Sequence, residues 1–135
     1  MISFGWRYDS HRARLLQADN PPPELLPPRA RAAALAGLEP ADLAQVLVNR
    51  YAPGAPIGWH RDRPIFDRIV GVSLLSPAAL RFRRRTATGF ERVTRAIAPR
   101  SAYVLTGPAR DVWEHSIPPA PALRYSITFR NFRPA

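Results

Sequence analysis

From Gln45 onward the chain is broken into about eight short stretches rich in β-branched and aromatic residues, each bounded by Pro, Gly, Asn, Asp or Ser. Runs of that length are too short for packed helices and suit strands, whose punctuation by turn residues sets where the chain reverses. The spacing predicts strands at Gln45–Tyr51, Ile57–His60, Ile69–Leu75, Leu80–Arg84, Glu91–Ile97, Ala102–Thr106, Asp111–Ser116 and Tyr125–Phe132, with Thr86-Ala87-Thr88-Gly89 as a hairpin turn and Pro99-Arg100-Ser101 as a tight connection. That many short strands argue for a sandwich or barrel. A further strand is expected at Ile2–Tyr8, an irregular loop at Pro21–Pro28 and a turn at Glu39–Leu43. One helix is expected over Arg29–Gly37, opened by Pro28 and closed by Gly37, with Ala30, Ala33, Ala34 and Leu38 as its apolar stripe. No internal repeat is present.

Along Arg124-Tyr125-Ser126-Ile127-Thr128-Phe129-Arg130 the period of two sends Tyr125, Ile127 and Phe129 to one face and Arg124, Ser126, Thr128 and Arg130 to the other. The apolar face needs a core. The polar face carries two guanidinium groups at most about 20 Å apart by strand rise, so a small dianion lying along the strand fits between them. Two exposed arginines on a solvated strand would look the same.

His60 and Asp62 are spaced i, i+2, so in extended chain both side chains leave one face and reach one ion. The chain has three histidines. His11 lies in a polar, Arg-rich stretch without a carboxylate at matching spacing, which leaves His115 as the third ligand. Two imidazoles and a carboxylate on one face of an octahedron leave open positions for an organic co-substrate and dioxygen on Fe(II). His-x-Asp alone is a short and common pattern, and a surface ion pair with His115 as a core residue would also satisfy it.

In order, the motifs are Asn49-x-Tyr51, Gly54, Ile57, His60-x-Asp62, Gly107-Pro108-Ala109-Arg110 leading to Trp113-x-His115, and Arg124-Tyr125-Ser126-Ile127-Thr128-Phe129-Arg130. Together they resemble the AlkB-type Fe(II)/2-oxoglutarate dioxygenases over about Gln45–Phe132, with a weaker match at Phe4–Tyr8. The resemblance implies a double-stranded β-helix core of the jelly-roll, cupin-like type, mainly β with a flanking helix. It would form a single domain over 1–135, with 1–44 as N-terminal flank and 45–133 as the core. It implies Fe(II) held by His60, Asp62 and His115, with 2-oxoglutarate and dioxygen as co-substrates. Arg124 would pair with the distal carboxylate of 2-oxoglutarate and Arg130 would stand near its metal-chelating carboxylate. Asn49 and Tyr51 would hydrogen-bond the co-substrate, and Ser126 would add a further polar contact.

The activity implied is oxidative demethylation of alkylated nucleic acid bases. Members that repair bases grip a flipped nucleotide with an N-terminal lid, of which most is expected to be lacking here. Trp6 and Tyr8 match its aromatic end and are candidates for stacking on a base, although core packing would also explain them. Pro64 stands where some repair enzymes have an acidic residue, so base recognition would fall to Arg61 or Arg63.

Charge points to the partner independently. The net charge is +10 and every one of the 20 basic residues is arginine, a side chain suited to phosphate. A single-stranded or base-flipped nucleic acid is therefore the expected partner, bound by a monomer. Absence of lysine beside abundant Ala and Pro also fits GC-rich codon usage, which would raise arginine without a functional demand. The cluster Arg81, Arg83, Arg84 and Arg85 could touch a phosphate backbone or merely guard a sheet edge. With no cysteine, disulfide scaffolds and thiolate metal sites are excluded. No apolar run has the length of a membrane span, and a cytoplasmic location without membrane contact is expected. Two other readings stay open, an oxygenase of the same type acting on a protein or small molecule and a non-catalytic basic nucleic-acid-binding module. The second leaves the His, Asp and Arg motifs unexplained.

Overall fold

Two sheets laid face to face carry most of the strand-forming sequence, and residues 1–134 are described in this computed structural model. The elements in chain order are β1 (Ile2–Phe4), β2 (Trp6–Asp9), β3 (Arg14–Gln17), α1 (Leu26–Ala36), β4 (Gln45–Tyr51), β5 (Ile57–His60), β6 (Phe66–Leu74), β7 (Ala78–Thr86), β8 (Gly89–Ile97), β9 (Ser101–Leu105), α2 (Pro108–Asp111), β10 (Glu114–Ile117) and β11 (Arg124–Phe132). Strands β1-β4-β11-β6-β9 form the larger sheet and β5-β10-β7-β8 the smaller one, while β2 and β3 pair as a separate hairpin. Neighbouring strands in both sheets run antiparallel. The architecture is the mainly β, jelly-roll type expected, with the sheets not closed into a barrel.

Period-two alternation divides the larger sheet into two unlike faces. Val46, Val70, Ile127 and Phe129 point one way and pack against Ala32, Ala33 and Ala36 of α1 and against Leu43. Burying side chains such as Val70 and Phe129 completely stabilises the fold by about 1.5–3 kcal/mol each. The opposite face, turned toward the smaller sheet, carries the polar residues considered below. A second cluster of Leu80, Ile97 and Ile117, joined by Phe82 and Tyr103, fills one end of the space between the sheets.

Local departures from the sequence expectations have identifiable causes. The strand expected over Ile2–Tyr8 is broken at Gly5, which adopts φ +76° with the Ala44 carbonyl pressed against the position a side chain would occupy. Only glycine tolerates both. Strand β3 was not expected, and Arg14–Gln17 is ordered by its hairpin with β2. Within Pro21–Pro28, Pro23–Leu25 forms a 3-10 turn that leads straight into α1. Prolines at Pro27 and Pro28 fit the first turn, where their missing N–H groups have no intrahelical acceptor. The face of α1 that packs on Leu43 and the larger sheet carries Ala32, Ala33 and Ala36, which leaves the expected Ala30 and Ala34 exposed. Gly37 closes the helix, and Arg68 Nη1 donates to the Ala36 carbonyl at 2.5 Å. Asp111 belongs to α2, not to a strand, because Gly107-Pro108 starts a helical turn and pairing resumes only at Glu114. The remaining strands and the turn at Pro40–Asp42 match expectation to within a few residues.

Candidate metal centre and co-substrate cavity

Register on β11 fixes the floor of the space between the sheets. Arg124 lies opposite Tyr51, Ser126 opposite Asn49 and Ser73, Thr128 opposite Leu47 and Gly71, and Arg130 opposite Gln45 and Ile69. All of these except Gln45, Gly71 and Ser73 line one cavity of about 450 Å³, together with Tyr103, Leu105, Leu80, Ile117, His60, Asp62 and His115. The alternation that buries Ile127 and Phe129 against α1 thus presents the polar row to a cavity, not to solvent.

Two strands of the smaller sheet bring the histidines together. His60 ends β5 and lies directly opposite His115 on β10, with ring centroids 4.3 Å apart. The ligand atoms of His60, Asp62 and His115 all lie within 4.8 Å of one another. Asp62 Oδ1 is 3.4 Å from His60 Nε2 and 3.7 Å from His115 Nε2, so one carboxylate oxygen faces both rings. Adjacent ligands on an octahedral ion with bonds near 2.1 Å stand about 3 Å apart, so small side-chain shifts bring this set onto one ion. His60 Nδ1 and the Gly58 carbonyl are 2.8 Å apart, which assigns the ring proton to Nδ1 and leaves the Nε2 lone pair for a metal.

The charges suit the same task. Burial alone would raise the Asp62 carboxyl, but its hydrogen bond with His60 and the nearby Arg130 guanidinium outweigh that and hold it well below the usual carboxylate range. His115 is pushed down to about 4, first by burial and then by His60, so it is neutral at physiological pH with a lone pair to offer. His60 moves up through its hydrogen bond with Asp62, against the effect of burial. An anionic oxygen, two imidazole nitrogens and partial exposure of His60 are a donor set that Fe(II) fits.

Both arginines of β11 are tied to this centre or to the cavity beside it. Arg130 Nε donates to Asp62 Oδ2 at 2.7 Å and Nη1 donates to Gln45 Oε1 at 3.1 Å. The resemblance placed Arg130 beside the co-substrate; its guanidinium also steadies Asp62 directly. Arg124 is only 4% exposed, donates to Ser73 Oγ at 3.0 Å and lies over the Tyr51 ring at 4.7 Å. Among the described residues Arg124 forms no ion pair with a carboxylate. A buried cation without a counter-ion is costly to the fold, so its presence beside a cavity marks a place for an anion. Asn49, Tyr51 and Ser126 line that cavity, as their shared faces suggested.

Tyr103 was missed from the sequence. Its ring crosses from β9 over Gly71, the residue directly opposite it, and it shares the cavity with Arg124 and Tyr51. Burial pushes its phenol up, so it stays a neutral hydroxyl donor. Nothing in a run such as Ser101-Ala102-Tyr103-Val104-Leu105 marks it. Only the pairing with Gly71 does.

A second cavity of about 590 Å³ opens beside the metal centre and is lined by Tyr8, Arg61, Asp62, Arg63, Phe66 and Arg130 among others. Arg63 stacks on Tyr8 with its Cζ 3.2 Å from the ring centroid, and Arg61 Nη1 donates to the Val112 carbonyl at 3.1 Å. Three of the four residues singled out for substrate, Tyr8, Arg61 and Arg63, therefore meet at this mouth. Trp6 does not line it and instead packs edge-on against Phe132 at 5.9 Å. His11 lies exposed in the β2–β3 turn, away from the other histidines.

The sequence model of the 2OG-Fe(II) oxygenase superfamily matches residues 3–130. The chain belongs to that superfamily. Fe(II), 2-oxoglutarate and dioxygen are the metal and co-substrates that membership implies, and the cluster of His60, Asp62 and His115 supplies a matching donor set. A curated relative, the uncharacterized protein L905 of Acanthamoeba polyphaga mimivirus, is 35% identical over a 100-residue alignment covering 64% of this chain and 47% of that protein. The chain thus spans about half the length of that relative. Among solved structures, OsALKBH1 has a similar fold, with a TM-score of 0.72 at 16% identity over 96% of this chain and 76% of that one. An oxalate oxidase shares the core more loosely, with a TM-score of 0.51 at 14% identity over 65% of this chain and 41% of its own. The likeness to OsALKBH1 is one of fold and agrees with the jelly-roll core expected from the AlkB-type resemblance.

Proposed function

We propose that the protein is an Fe(II)- and 2-oxoglutarate-dependent dioxygenase that removes alkyl groups from nucleic acid bases. The observation that carries the oxygenase part is the convergence of His60, Asp62 and His115, with ligand atoms within 4.8 Å of one another, at the wall of a cavity also lined by the buried Arg124. His60, Asp62 and His115 would hold the metal. When bound, Fe(II) together with 2-oxoglutarate and dioxygen supplies oxidation of a C–H bond coupled to loss of carbon dioxide from the co-substrate, leaving succinate.

The chain's own residues orient and exclude. Arg130 holds Asp62 by Oδ2, which leaves Oδ1 turned to the two imidazoles. Arg124, set by Ser73 and Tyr51, offers a guanidinium fork to the distal carboxylate, with Tyr103, Asn49 and Ser126 as hydrogen-bonding neighbours. Leu80, Leu105, Ile69 and Ile117 make the remaining walls apolar and keep water from competing for these contacts.

Nucleic acid as substrate is supported by the net charge of +10, by the arginine and aromatic residues at the second cavity and by the likeness in fold to OsALKBH1. An N-methyl carbon hydroxylated at the metal would collapse to a free amine and formaldehyde. The test is anaerobic loading with Fe(II) and 2-oxoglutarate, then oxygen with a methylated single-stranded oligonucleotide, scoring succinate and formaldehyde against Asp62→Ala. Formaldehyde that depends on Asp62 establishes a demethylase. Succinate without formaldehyde retains the oxygenase and moves the substrate to a protein or small molecule, and neither product with no metal bound removes the catalytic reading.

A further inference from the structure

The smaller sheet has an outer face that the metal centre does not use. His115 and Phe82, paired across β10 and β7, point inward, so their neighbours Glu114, Ser116, Arg81 and Arg83 point outward. The same alternation along β7 and β8 puts Arg85 outside, opposite Phe90, and Arg92 outside, opposite Arg83. On β5, Trp59 precedes the inward His60 and has the Arg81 and Arg83 guanidinium groups 5.2 and 4.5 Å from its ring centroid. Phe90 gathers three more contacts, from Arg83 at 4.5 Å, Arg85 at 5.0 Å and Arg92 at 5.7 Å.

This face holds four guanidinium groups, of which Arg83 pairs with Glu114 at 3.2 Å and Arg81 donates to Ser116 Oγ at 3.1 Å. Arg83 and Arg92 stand directly across from one another, a like-charge pair that weakens a sheet. Protection of a sheet edge applies to Arg92 on the edge strand β8 but does not account for the other three. Arg81, Arg83 and Arg85 lie on β7, an interior strand flanked by β10 and β8. Codon usage explains why the bases are arginines but not why they share a face with two aromatic rings.

We infer that this outer face is a platform for single-stranded nucleic acid, with phosphates on Arg81, Arg83, Arg85 and Arg92 and bases stacked at Trp59 and Phe90. Guanidinium groups interleaved with aromatic rings are what a flexible polyanion with flat bases requires. The four strands span about 14 Å at a spacing near 4.8 Å, enough to hold a short extended segment. Trp59 faces out on the edge strand β5 while the next residue, His60, faces the metal cluster. A strand leaving the platform at Trp59 crosses one sheet edge to reach the second cavity.

This inference rests on the reading of nucleic acid as the substrate, and binding is separable from turnover. The probe is a short, unmodified, labelled single-stranded oligonucleotide, titrated by fluorescence anisotropy over a range of salt without iron. Arg85→Ala/Arg92→Ala should weaken binding about tenfold or more and lower the salt slope by roughly 0.7 per arginine removed. Arg85→Lys/Arg92→Lys should keep most of the slope, which separates charge from folding. Trp59→Leu should weaken binding with the slope unchanged. An alanine pair that binds with wild-type affinity and slope, or a wild-type protein that binds no oligonucleotide at low salt, overturns the platform. Succinate formation by the wild type is scored separately. If it is present while the alanine pair binds normally, the platform falls and the oxygenase stands; if it is absent while the pair loses binding, the platform stands and the oxygenase falls.

Discussion

Gly71→Ala tests the cavity floor with a single methyl group. A Cβ built on Gly71 overlaps the Tyr103 ring atoms Cζ, Cε1 and Oη, more than about 1 Å inside the ~3.5 Å at which carbons normally touch. The ring is pinned between β6 and the Arg124 side of the cavity, so it must swing into the space we assign to the co-substrate. Overpacking of this kind costs about 1–3 kcal/mol. For 135 residues, at ~2.1 cal/mol/K per residue, each kcal/mol is roughly 3.5 °C, giving a fall in Tm of roughly 3–10 °C. The decisive variant is the same substitution in a Tyr103→Ala background. There the three Tyr103 atoms that crowd the methyl are gone, and Gly71 is not among the residues with positive φ, so alanine should stabilise by about 0.4–1 kcal/mol through the unfolded chain. Gly71→Ala is thus expected to change sign between the two backgrounds, read by urea denaturation of all four proteins, while 2-oxoglutarate affinity falls in the single variant. Equal, additive effects in both backgrounds would refute the argument that Tyr103 lies across Gly71.

Arg124→Ala removes a charged hydrogen-bonding partner for the co-substrate and should weaken 2-oxoglutarate binding about 10–150-fold in a direct titration. Arg124→Lys should recover only part, because a point charge replaces a fork. Asp62→Ala is expected to abolish Mn(II) binding, used as a spectroscopic stand-in for iron, with the secondary structure retained by circular dichroism; Mn(II) binding that survives would remove Asp62 from the ligand set. Phe129→Ala, at a position with 0% exposure, should cost about 3–5 kcal/mol in urea unfolding; a loss below 1 kcal/mol would mean that α1 is not packed on β11 as described. Arg110→Met should loosen the segment that follows Asp62, because Arg110 Nη2 donates to the Arg63 and Phe66 carbonyls at 2.6 and 2.7 Å. Faster chymotryptic cleavage after Phe66 than in the wild type is the expected outcome, and unchanged cleavage would exclude the restraint.

What was legible in the sequence depended on how locally each feature is encoded. Strand β4 and the opposed faces of β11 follow from alternation alone, and alternation survives folding because it reports which side of a sheet is dry, whereas β5 carries an irregular register that turns both Ile57 and His60 to the cavity. The candidate ligands His60 and Asp62 were legible from their i, i+2 spacing, although β5 ends at His60 and Asp62 lies just beyond it, and His115 because so few histidines compete. The helix was legible in kind but not in phase. Ala30, Ala33 and Ala34 are nearly equivalent in a run of alanines, and the stripe was decided by which face packs on Leu43 and the larger sheet, a tertiary contact. Strand β3 escaped because Arg14-Leu15-Leu16-Gln17 is held by its partner, not by its own composition.

Features that only register creates were out of reach. Tyr103 becomes a cavity residue because β9 pairs with β6 so that it faces a glycine, and a shift of one residue would send it to the opposite face. The same holds for the outer face of the smaller sheet. Arg81, Arg83 and Arg85 were visible as a cluster, but their meaning turned on whether β7 is an edge or an interior strand. On an edge they would guard against unwanted pairing; between β10 and β8 they have no such task. Interior position therefore turns an ambiguous run of charge into a surface that concentrates like charges against Phe90 and Trp59. A face of that kind is destabilised by its own repulsion, so charge-neutralising substitutions at Arg85 and Arg92 should raise Tm at low salt, and added salt should abolish the difference. A Tm that falls instead would mean these arginines stabilise the sheet by packing, and would withdraw the argument that repulsion is tolerated there for the sake of an anionic partner.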